Sequence, residues 1–122
     1  MAMKEFLGVT RALRNSNRVK IMKLLQHGEL CVCELQAVLE ISQASVSKHL
    51  SILTSVGLLD RRKKGLWSYY RIAALPRCPY VSAVLGNMRF WLEDDADIKV
   101  LTKKLPDIRR KNLCFRSFDE TS

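Results

Sequence analysis

Two helical patterns separated by only a few residues restrict the fold of this chain more than any other feature. The first pattern stops near Glu40 and Ile41, and Ser42 then provides a good N-cap for a helix over residues 43–56. Apolar residues recur at helical spacing in both segments, at Leu30, Leu35, Val38 and Leu39 and then at Val46, Leu50, Leu53 and Val56. Small polar side chains near the start of the second helix complete a pattern that predicts a helix-turn-helix.

A basic run and an aromatic run follow this pair of helices directly. Residues 60–65 read Asp-Arg-Arg-Lys-Lys-Gly, and residues 66–72 read Leu-Trp-Ser-Tyr-Tyr-Arg-Ile, which is rich in strand-forming side chains. We therefore expect a β-hairpin with a basic tip. A helix-turn-helix followed by such a hairpin is a winged helix, in which the second helix enters the major groove and the hairpin reaches the flanking backbone or minor groove. The predicted fold is mainly α-helical with a small β-hairpin wing.

The polar residues of the second helix and of the wing are candidates for contacts with DNA. Gln43 and Ser45 have side chains that hydrogen-bond base edges, and a basic wing neutralises phosphates. The other polar residues of the helix are expected to hold phosphates or bases. The predicted DNA-binding residues are Gln43, Ser45, Ser47, Lys48, His49, Ser51, Arg61, Arg62, Lys63 and Lys64. A basic run on its own is more often a solvated turn, but its position directly after a recognition-type helix favours DNA binding.

The charge and the length of the chain agree with this interpretation. The 122 residues carry a net charge of +9, and residues 1–77 hold 13 basic against 5 acidic residues. Such a field attracts polyanions, and the sequence has no lipid motif or apolar run near 18 residues, which favours nucleic acid over a membrane. One domain is expected, without a second catalytic lobe. The start of the sequence lacks the order of residues that a secretory signal needs, so we expect a cytoplasmic protein.

Further helical patterns lie on both sides of the helix-turn-helix. Two helices precede it, the second of them capped at residues 15–17 and ended by Gly28. After Pro79 a longer helix is predicted through Trp91, followed by an amphipathic stretch that ends near Leu105. We assign residues 1–105 to a DNA-binding and dimerisation domain and residues 106–122 to a flexible C-terminal tail. The first helix and the long helix carry more apolar residues than the core needs, which predicts a homodimer.

Two of the four cysteines lie near the start of the first helix of the helix-turn-helix. In a cytoplasmic protein Cys31, Cys33, Cys78 and Cys114 are expected to be structural thiols, ligands or redox sensors rather than a disulfide framework. Residues i and i+2 of an α-helix are separated by about 200° around its axis. One small ion bound by the sulfurs of both Cys31 and Cys33 should therefore distort the helix, so that ligand binding competes with DNA binding.

Three blocks of the chain resemble the ArsR/SmtB family of metal-responsive repressors, and most closely its arsenical-resistance members. The blocks are residues 29–35 (Glu-Leu-Cys-Val-Cys-Glu-Leu), 42–50 (Ser-Gln-Ala-Ser-Val-Ser-Lys-His-Leu) and 57–72, and the Cys-Val-Cys part is the most specific. The resemblance implies a homodimeric winged helix that represses an arsenic resistance operon from a palindromic operator. It also implies release on binding As(III) or Sb(III) at Cys31 and Cys33, with no permanent cofactor.

The sequence departs from the best-known arsenical pattern at Gln36, where a third cysteine is common. Cys114 in the C-terminal tail and Cys78 beside two prolines are the candidates for a third sulfur ligand, from the same or the other protomer. The alternative for each of them is an incidental thiol. Residues 80–105 contain no histidine and no cysteine precedes Cys31, so the zinc and cadmium sites of other branches of the family are not expected.

Two alternative functions use the same residues. A repressor of this fold could respond instead to thiol oxidation or persulfide formation. A small zinc-stabilised interaction module without a DNA role is the third hypothesis, which the basic wing opposes. Catalysis is not expected, because His27 and His49 have no sequence partner for a nucleophile and base pair. The acidic residues at 93–97 are interpreted as the solvated start of a helix rather than as a hard-cation site.

Overall fold

The computed structural model describes residues 2–111 and 113, which form six α-helices and a small antiparallel sheet. The elements are α1 (Ala2–Ala12), α2 (Ser16–Leu25), β1 (Leu30–Cys31), α3 (Val32–Leu39), α4 (Gln43–Ser55), β2 (Leu59–Lys64), β3 (Trp67–Ile72), α5 (Pro79–Asn87), a 3₁₀ turn (Met88–Phe90) and α6 (Ala96–Lys111). The predicted winged helix-turn-helix is thus confirmed. In the part of the chain described, no helix is both long and apolar enough to cross a bilayer.

The turn between α3 and α4 is built by the residues that the sequence pattern indicates. Glu40 ends α3 in the left-handed conformation (φ 57°), and its N–H donates to the Gln36 carbonyl at 2.8 Å. Ser42 then caps α4, because its hydroxyl oxygen accepts a hydrogen bond from the N–H of Ser45 at 3.1 Å. The two helices therefore meet through three residues, the spacing of a helix-turn-helix.

The sheet has the strand order β1-β3-β2, so that β3 lies between the other two strands. The wing is the hairpin of β2 and β3, in which Lys64 is opposite Trp67 across a two-residue turn. Gly65 occupies the first turn position at φ 62°, which glycine adopts without strain. Strand β1 was not predicted, since two residues carry no periodicity that distinguishes a strand from a loop.

One hydrophobic core lies under the helix-turn-helix, and the buried face of helix α4 packs against it. The most deeply buried side chains come from α2, β1, α3, α4 and β2. They include Ile21, Met22, Leu24, Leu30, Leu35, Val38, Val46, Leu50, Leu53 and Leu59. Burial of this many aliphatic groups fixes which face of α4 remains free for a partner.

The predicted helix from Pro79 through Trp91 is shorter in the structure. Helix α5 ends at Asn87, a single 3₁₀ turn follows, and Trp91 has extended backbone. The helix is interrupted by contacts with Lys23 of α2, whose side chain is only 4% exposed. Its ammonium group donates to the carbonyls of Met88 (3.0 Å) and Trp91 (2.6 Å) and to the Glu93 carboxylate (3.0 Å). A continuous α-helix would use these carbonyls for its own hydrogen bonds.

The predicted boundary between residues 105 and 106 falls inside α6, so that boundary is wrong. The helix continues through Pro106 to Lys111, and Ile108 packs against the core beyond the proline. Near its end, Arg109 donates to the His27 carbonyl at 3.0 Å and thereby fixes the last turns of α6 beside the end of α2. The remainder of the predicted tail, apart from residue 113, lies outside the described residues.

Candidate nucleic-acid interface and cysteine site

Helix α4 presents one polar face to solvent. Gln43, Ser47, Lys48 and Ser51 are exposed, whereas Val46 on the opposite side is buried. Positions 43, 47 and 51 follow one another at intervals of four residues, so their side chains lie along one stripe of the helix. The predicted contacts at these positions are therefore accessible to a partner as large as a DNA groove.

Ser45 has a second role in the turn. Its hydroxyl accepts a hydrogen bond from the Ser42 hydroxyl (2.9 Å) while its N–H is bonded to the same oxygen, and its side chain is half-buried. Because Ser45 belongs to the cap of α4, a change at this position acts on the start of the helix as well as on any base contact.

His49 does not lie on the polar face, so its prediction as a DNA contact is wrong. The side chain is 9% exposed and faces α2, where its Nδ1 lies 3.3 Å from Nη1 of Arg18. Burial, the charge of Arg18 and the charge of Lys48 lower the pKa of the His49 imidazole below its ordinary value of 6.5. A neutral, buried imidazole positions the recognition helix rather than contacting a phosphate.

The wing divides its four basic residues between two faces of the hairpin. Arg61, Lys63 and Lys64 are exposed, and Arg61 donates from Nε to the Ser68 hydroxyl at 3.2 Å. Side chains alternate along a strand, so Arg61 and Lys63 share one face and Arg62 and Lys64 share the other. The exposed side chains of Arg61, Lys63 and Lys64 are therefore the part of the wing that is available to phosphates.

Arg62 is engaged within the protein. Its guanidinium donates from Nε to Oε2 of Glu29 (3.1 Å) and from Nη2 to Oε1 of Glu29 (2.5 Å). The same group lies 5.4 Å from the ring centroid of Tyr69. The hydrogen bond from Arg62 holds the pKa of the Glu29 carboxyl below its ordinary value, against the opposite effect of burial. Sequence reasoning missed this pair, because 33 residues separate its members.

The two adjacent cysteines lie at the junction between β1 and α3. Cys31 is the last residue of β1 and the N-cap of α3, with extended backbone (φ −94°, ψ 170°) and 1% exposure. Cys33 follows in the first helical turn and is half-buried. The assumption that both sulfurs project from one helix is therefore wrong, since only Cys33 has helical backbone. The relative position of the two sulfurs therefore depends on the strand-to-helix junction and not on helical spacing alone.

Glu34 affects both cysteines of this junction. Its carboxylate accepts a hydrogen bond from the N–H of Cys31 at 2.9 Å, which supports the start of α3. Burial raises the pKa of the Cys33 thiol, and the charge of Glu34 raises it further. Binding of a thiophilic ion at Cys33 therefore has to displace a firmly held proton.

The remaining predicted ligands are separated from this pair or lie outside the described residues. Cys78 is the N-cap of α5 and lines a cavity of about 890 Å³ between α1 and the end of α4. Cys114 lies outside the described residues. Within residues 2–111 and 113, no group of three His, Cys, Asp or Glu side chains is placed to hold a metal ion. The acidic residues before α6 serve the fold, since Asp95 accepts from the N–H of Ile98 at 3.0 Å.

A recognition helix with an exposed polar face, attached to a hairpin with a basic tip, defines the class of winged-helix DNA-binding proteins. Comparison with known proteins identifies the family. Residues 15–61 match the family model described as "Bacterial regulatory protein, arsR family". The chain is 40% identical over 94 residues to the "Arsenic resistance transcriptional regulator ArsR1" of Pseudomonas putida, and the match covers 72% of each protein. The chain therefore belongs to the ArsR family.

Two further relatives agree with this assignment. The chain is 34% identical over 108 residues to the "Arsenical resistance operon repressor" of Escherichia coli, covering 85% of this chain and 91% of that protein. A solved homodimeric winged helix-turn-helix domain of a possible ArsR-family regulator from Mycobacterium bovis superposes with a TM-score of 0.62 at 26% identity. That match covers 78% of this chain and 84% of the domain. The protein is thus a DNA-binding transcriptional repressor and not an enzyme.

Proposed function

We propose that this repressor controls an arsenic resistance operon and leaves its operator when As(III) or Sb(III) binds Cys31 and Cys33. The observation that carries the proposal is the place of these cysteines, at the β1–α3 junction of the helix-turn-helix itself. Trivalent arsenic and antimony are soft ions that prefer thiolate ligands. Relatives named arsenical resistance repressors support the choice of inducer.

In the reduced protein, the β1–α3 junction places one sulfur of the proposed pair at a helix N-cap. A negative charge at an N-cap is stabilised by the free amide groups and the dipole of the helix that follows. Cys31 occupies this position on α3, while Cys33 lies within the first turn.

Ion binding opposes DNA binding because α3 supports α4. The two helices pack against each other and are joined by only three residues, so a displaced α3 changes the position of the recognition helix. The conformation that chelates the ion therefore differs from the one that fits two grooves of DNA. An ion that binds the first conformation more tightly than the second releases the protein from its operator.

Cys114 is the preferred candidate for a third sulfur ligand. Arg109, five residues before it, donates to the carbonyl of His27, which lies four residues before Cys31. The last turns of α6 therefore lie beside the segment that leads into β1, and α6 also packs against α3, the helix that carries Cys33. Cys78, in contrast, lies at the start of α5 beside α1.

The proposed assembly is a homodimer that pairs through α1 and α5 on a palindromic operator. Met3, Phe6 and Leu7 expose apolar side chains on α1, and the Phe6 ring packs edge-to-face on Tyr80 of α5 at 5.3 Å between centroids. Such a face is usually covered by a partner. Sedimentation velocity at micromolar concentration should show a dimer, and footprinting should show two half-sites about one helical turn apart. A monomer on an unsymmetrical half-site would reject this assembly.

The inducer is tested by release from DNA. The reduced protein is bound to a labelled duplex that it has selected from random sequence, and arsenite, antimonite, peroxide or a persulfide donor is added in separate titrations. Release at about stoichiometric arsenite or antimonite supports the proposal. Release by peroxide or persulfide without release by arsenite would support the redox alternative. Failure to bind any duplex at low salt would leave only the interaction-module hypothesis.

A further inference from the structure

The Glu29–Arg62 pair crosses the whole sheet. Glu29 directly precedes β1, and Arg62 lies in β2, but these two strands are not neighbours because β3 separates them. The side chains therefore meet over β3, where the Arg62 guanidinium lies against the Tyr69 ring. Glu29 is 26% exposed and Arg62 is 48% exposed, so the pair is partly shielded from solvent.

The same row of the sheet contains one of the two proposed ion ligands. Tyr69 is the register partner of Cys31 on one side and of Arg62 on the other. Cys31, Tyr69 and Arg62 are therefore successive members of one cross-strand row. A change in the backbone of Cys31 alters the strand pairing on which the Glu29–Arg62 contact is built.

We propose that the Glu29–Arg62 pair is a latch that holds the wing to the cysteine-bearing strand in the DNA-binding conformation and opens when the ion binds. This inference rests on the proposed function of Cys31 and Cys33. Strand β1 has only two residues, so few backbone hydrogen bonds attach it to β3. The forked contact from Arg62 therefore adds two side-chain hydrogen bonds to a short strand pairing.

The latch extends the effect of ion binding to a second DNA-contacting element. In the proposed switch, binding of the ion by Cys31 and Cys33 changes the backbone at Cys31, the residue paired with Tyr69. Once that pairing is broken, Glu29 moves away from Arg62 and the wing is no longer held in place. Ion binding then displaces the exposed basic residues of the wing as well as the recognition helix.

The latch has a defined thermodynamic consequence. If the pair stabilises only the conformation without the ion, weakening the pair shifts the equilibrium toward the conformation that binds the ion. Arsenite should then bind the free protein more tightly and release it from DNA at a lower concentration. By linkage, operator affinity in the presence of arsenite falls by the same factor.

Glu29→Gln tests the latch, because it removes the charge of Glu29 while keeping its size. Asp60→Asn is the matched control: Asp60 pairs with Arg71 at 3.8 Å inside the wing hairpin, so this variant removes one negative charge from the same sheet without affecting β1. Arsenite affinity is measured on the free reduced proteins by ultraviolet sulfur–arsenic absorption. Release is measured by fluorescence anisotropy of a labelled operator.

Glu29→Gln should bind arsenite about twofold to fivefold more tightly than the wild type and release DNA at a correspondingly lower concentration, the range expected for a partly exposed ion pair. Asp60→Asn should match the wild type in both measurements. Equal arsenite affinity and equal release midpoints in Glu29→Gln and Asp60→Asn would overturn the latch. If wild-type protein neither bound arsenite nor left DNA, the proposed function itself would fail, which is a different result.

Discussion

The guanidinium of Arg18 on α2 donates a hydrogen bond to Nδ1 of His49 on the recognition helix, at 3.3 Å. Arginine has only donors, so Nδ1 is the acceptor and the imidazole carries its proton on Nε2. The same guanidinium donates to the carbonyls of Ala12 (2.6 Å) and Arg11 (3.3 Å) at the end of α1. Arg18 therefore joins the proposed dimerisation helix to the helix that reads DNA.

The neutral state of His49 predicts a pH dependence of stability. The lowered pKa means that the unfolded chain takes up a proton near pH 6.5 while the folded protein takes it up only at lower pH. The free energy of unfolding should therefore decrease as the pH falls through 6.5. His49→Asn keeps an acceptor near the position of Nδ1 and should remove this decrease. Urea denaturation from about pH 8 to about pH 5 measures it.

The control for this prediction is the other histidine of the chain. His27 is exposed at the end of α2, and His27→Asn should leave the decrease below pH 6.5 in place. If His49→Asn and the wild type lost stability in parallel, the titrating group would be another residue. A decrease that disappeared in His27→Asn instead would also contradict the assignment to His49.

The wing and the recognition helix should differ in the kind of DNA contact that they make. Lys63→Ala and Lys64→Ala should weaken binding to all sequences and reduce the slope of log affinity against log salt by about 0.9 for each phosphate that is no longer neutralised. Gln43→Ala should instead reduce discrimination between operator variants, by about 1–3 kcal/mol for a well-made base contact. Titrations of operator and random duplexes at several salt concentrations compare the two effects.

The roles would be reversed if the lysine variants changed sequence preference while the salt slope stayed intact. Arg62→Ala provides a comparison within the wing, because Arg62 is held by Glu29. Its effect on the salt slope should be smaller than that of Lys63→Ala.

The cysteine pair should be required for induction but not for DNA binding. Cys31→Ser and Cys33→Ser should each bind operator within about twofold of the wild type, because serine is similar in size and, at Cys31, is a favourable N-cap residue. Neither variant should leave DNA at arsenite concentrations that release the wild type, since a hydroxyl is a poor ligand for a soft ion. Anisotropy of labelled operator against arsenite concentration measures both properties.

Cys78→Ser is the control for these variants, because Cys78 lies beside α1 and away from the β1–α3 junction. Arsenite should release Cys78→Ser from the operator at the same concentration as the wild type. Cys114→Ser should need more arsenite, because a third sulfur increases affinity without being required for the switch. Normal induction in both Cys31→Ser and Cys33→Ser would exclude the proposed site.

Lys23 should contribute strongly to stability although it is charged. Lys23→Met removes the donor that the Trp91 carbonyl accepts from and leaves the Met88 carbonyl with only the Trp91 N–H, and it should lower the free energy of unfolding by about 2–4 kcal/mol. Glu93→Gln should cost far less, because Glu93 is 62% exposed and its amide can still accept a hydrogen bond from Lys23. Equal denaturation midpoints for Lys23→Met and the wild type would contradict the role of Lys23 as the residue that ends α5.

The sequence by itself determined the features that depend on neighbouring residues. Ser42 caps α4, Gly65 forms the tip of the wing and the apolar spacing of α4 directs Val46 into the core, as their local patterns predict. The exposed stripe of the recognition helix follows from that spacing, since a helix that buries one face leaves the other free. For the same reason the winged helix-turn-helix and its polar stripe are predictable without a structure.

Only the tertiary structure decided the contacts between residues far apart in the chain. The ammonium group of Lys23 binds the Met88 carbonyl, 65 residues further along the chain, where α5 has ended. The Arg62 guanidinium is held by Glu29, 33 residues before it. Likewise, His49 is polar but turns inward because Arg18 provides a donor for its buried ring. No local propensity encodes these choices, because each depends on the partner that folding brings next to the side chain.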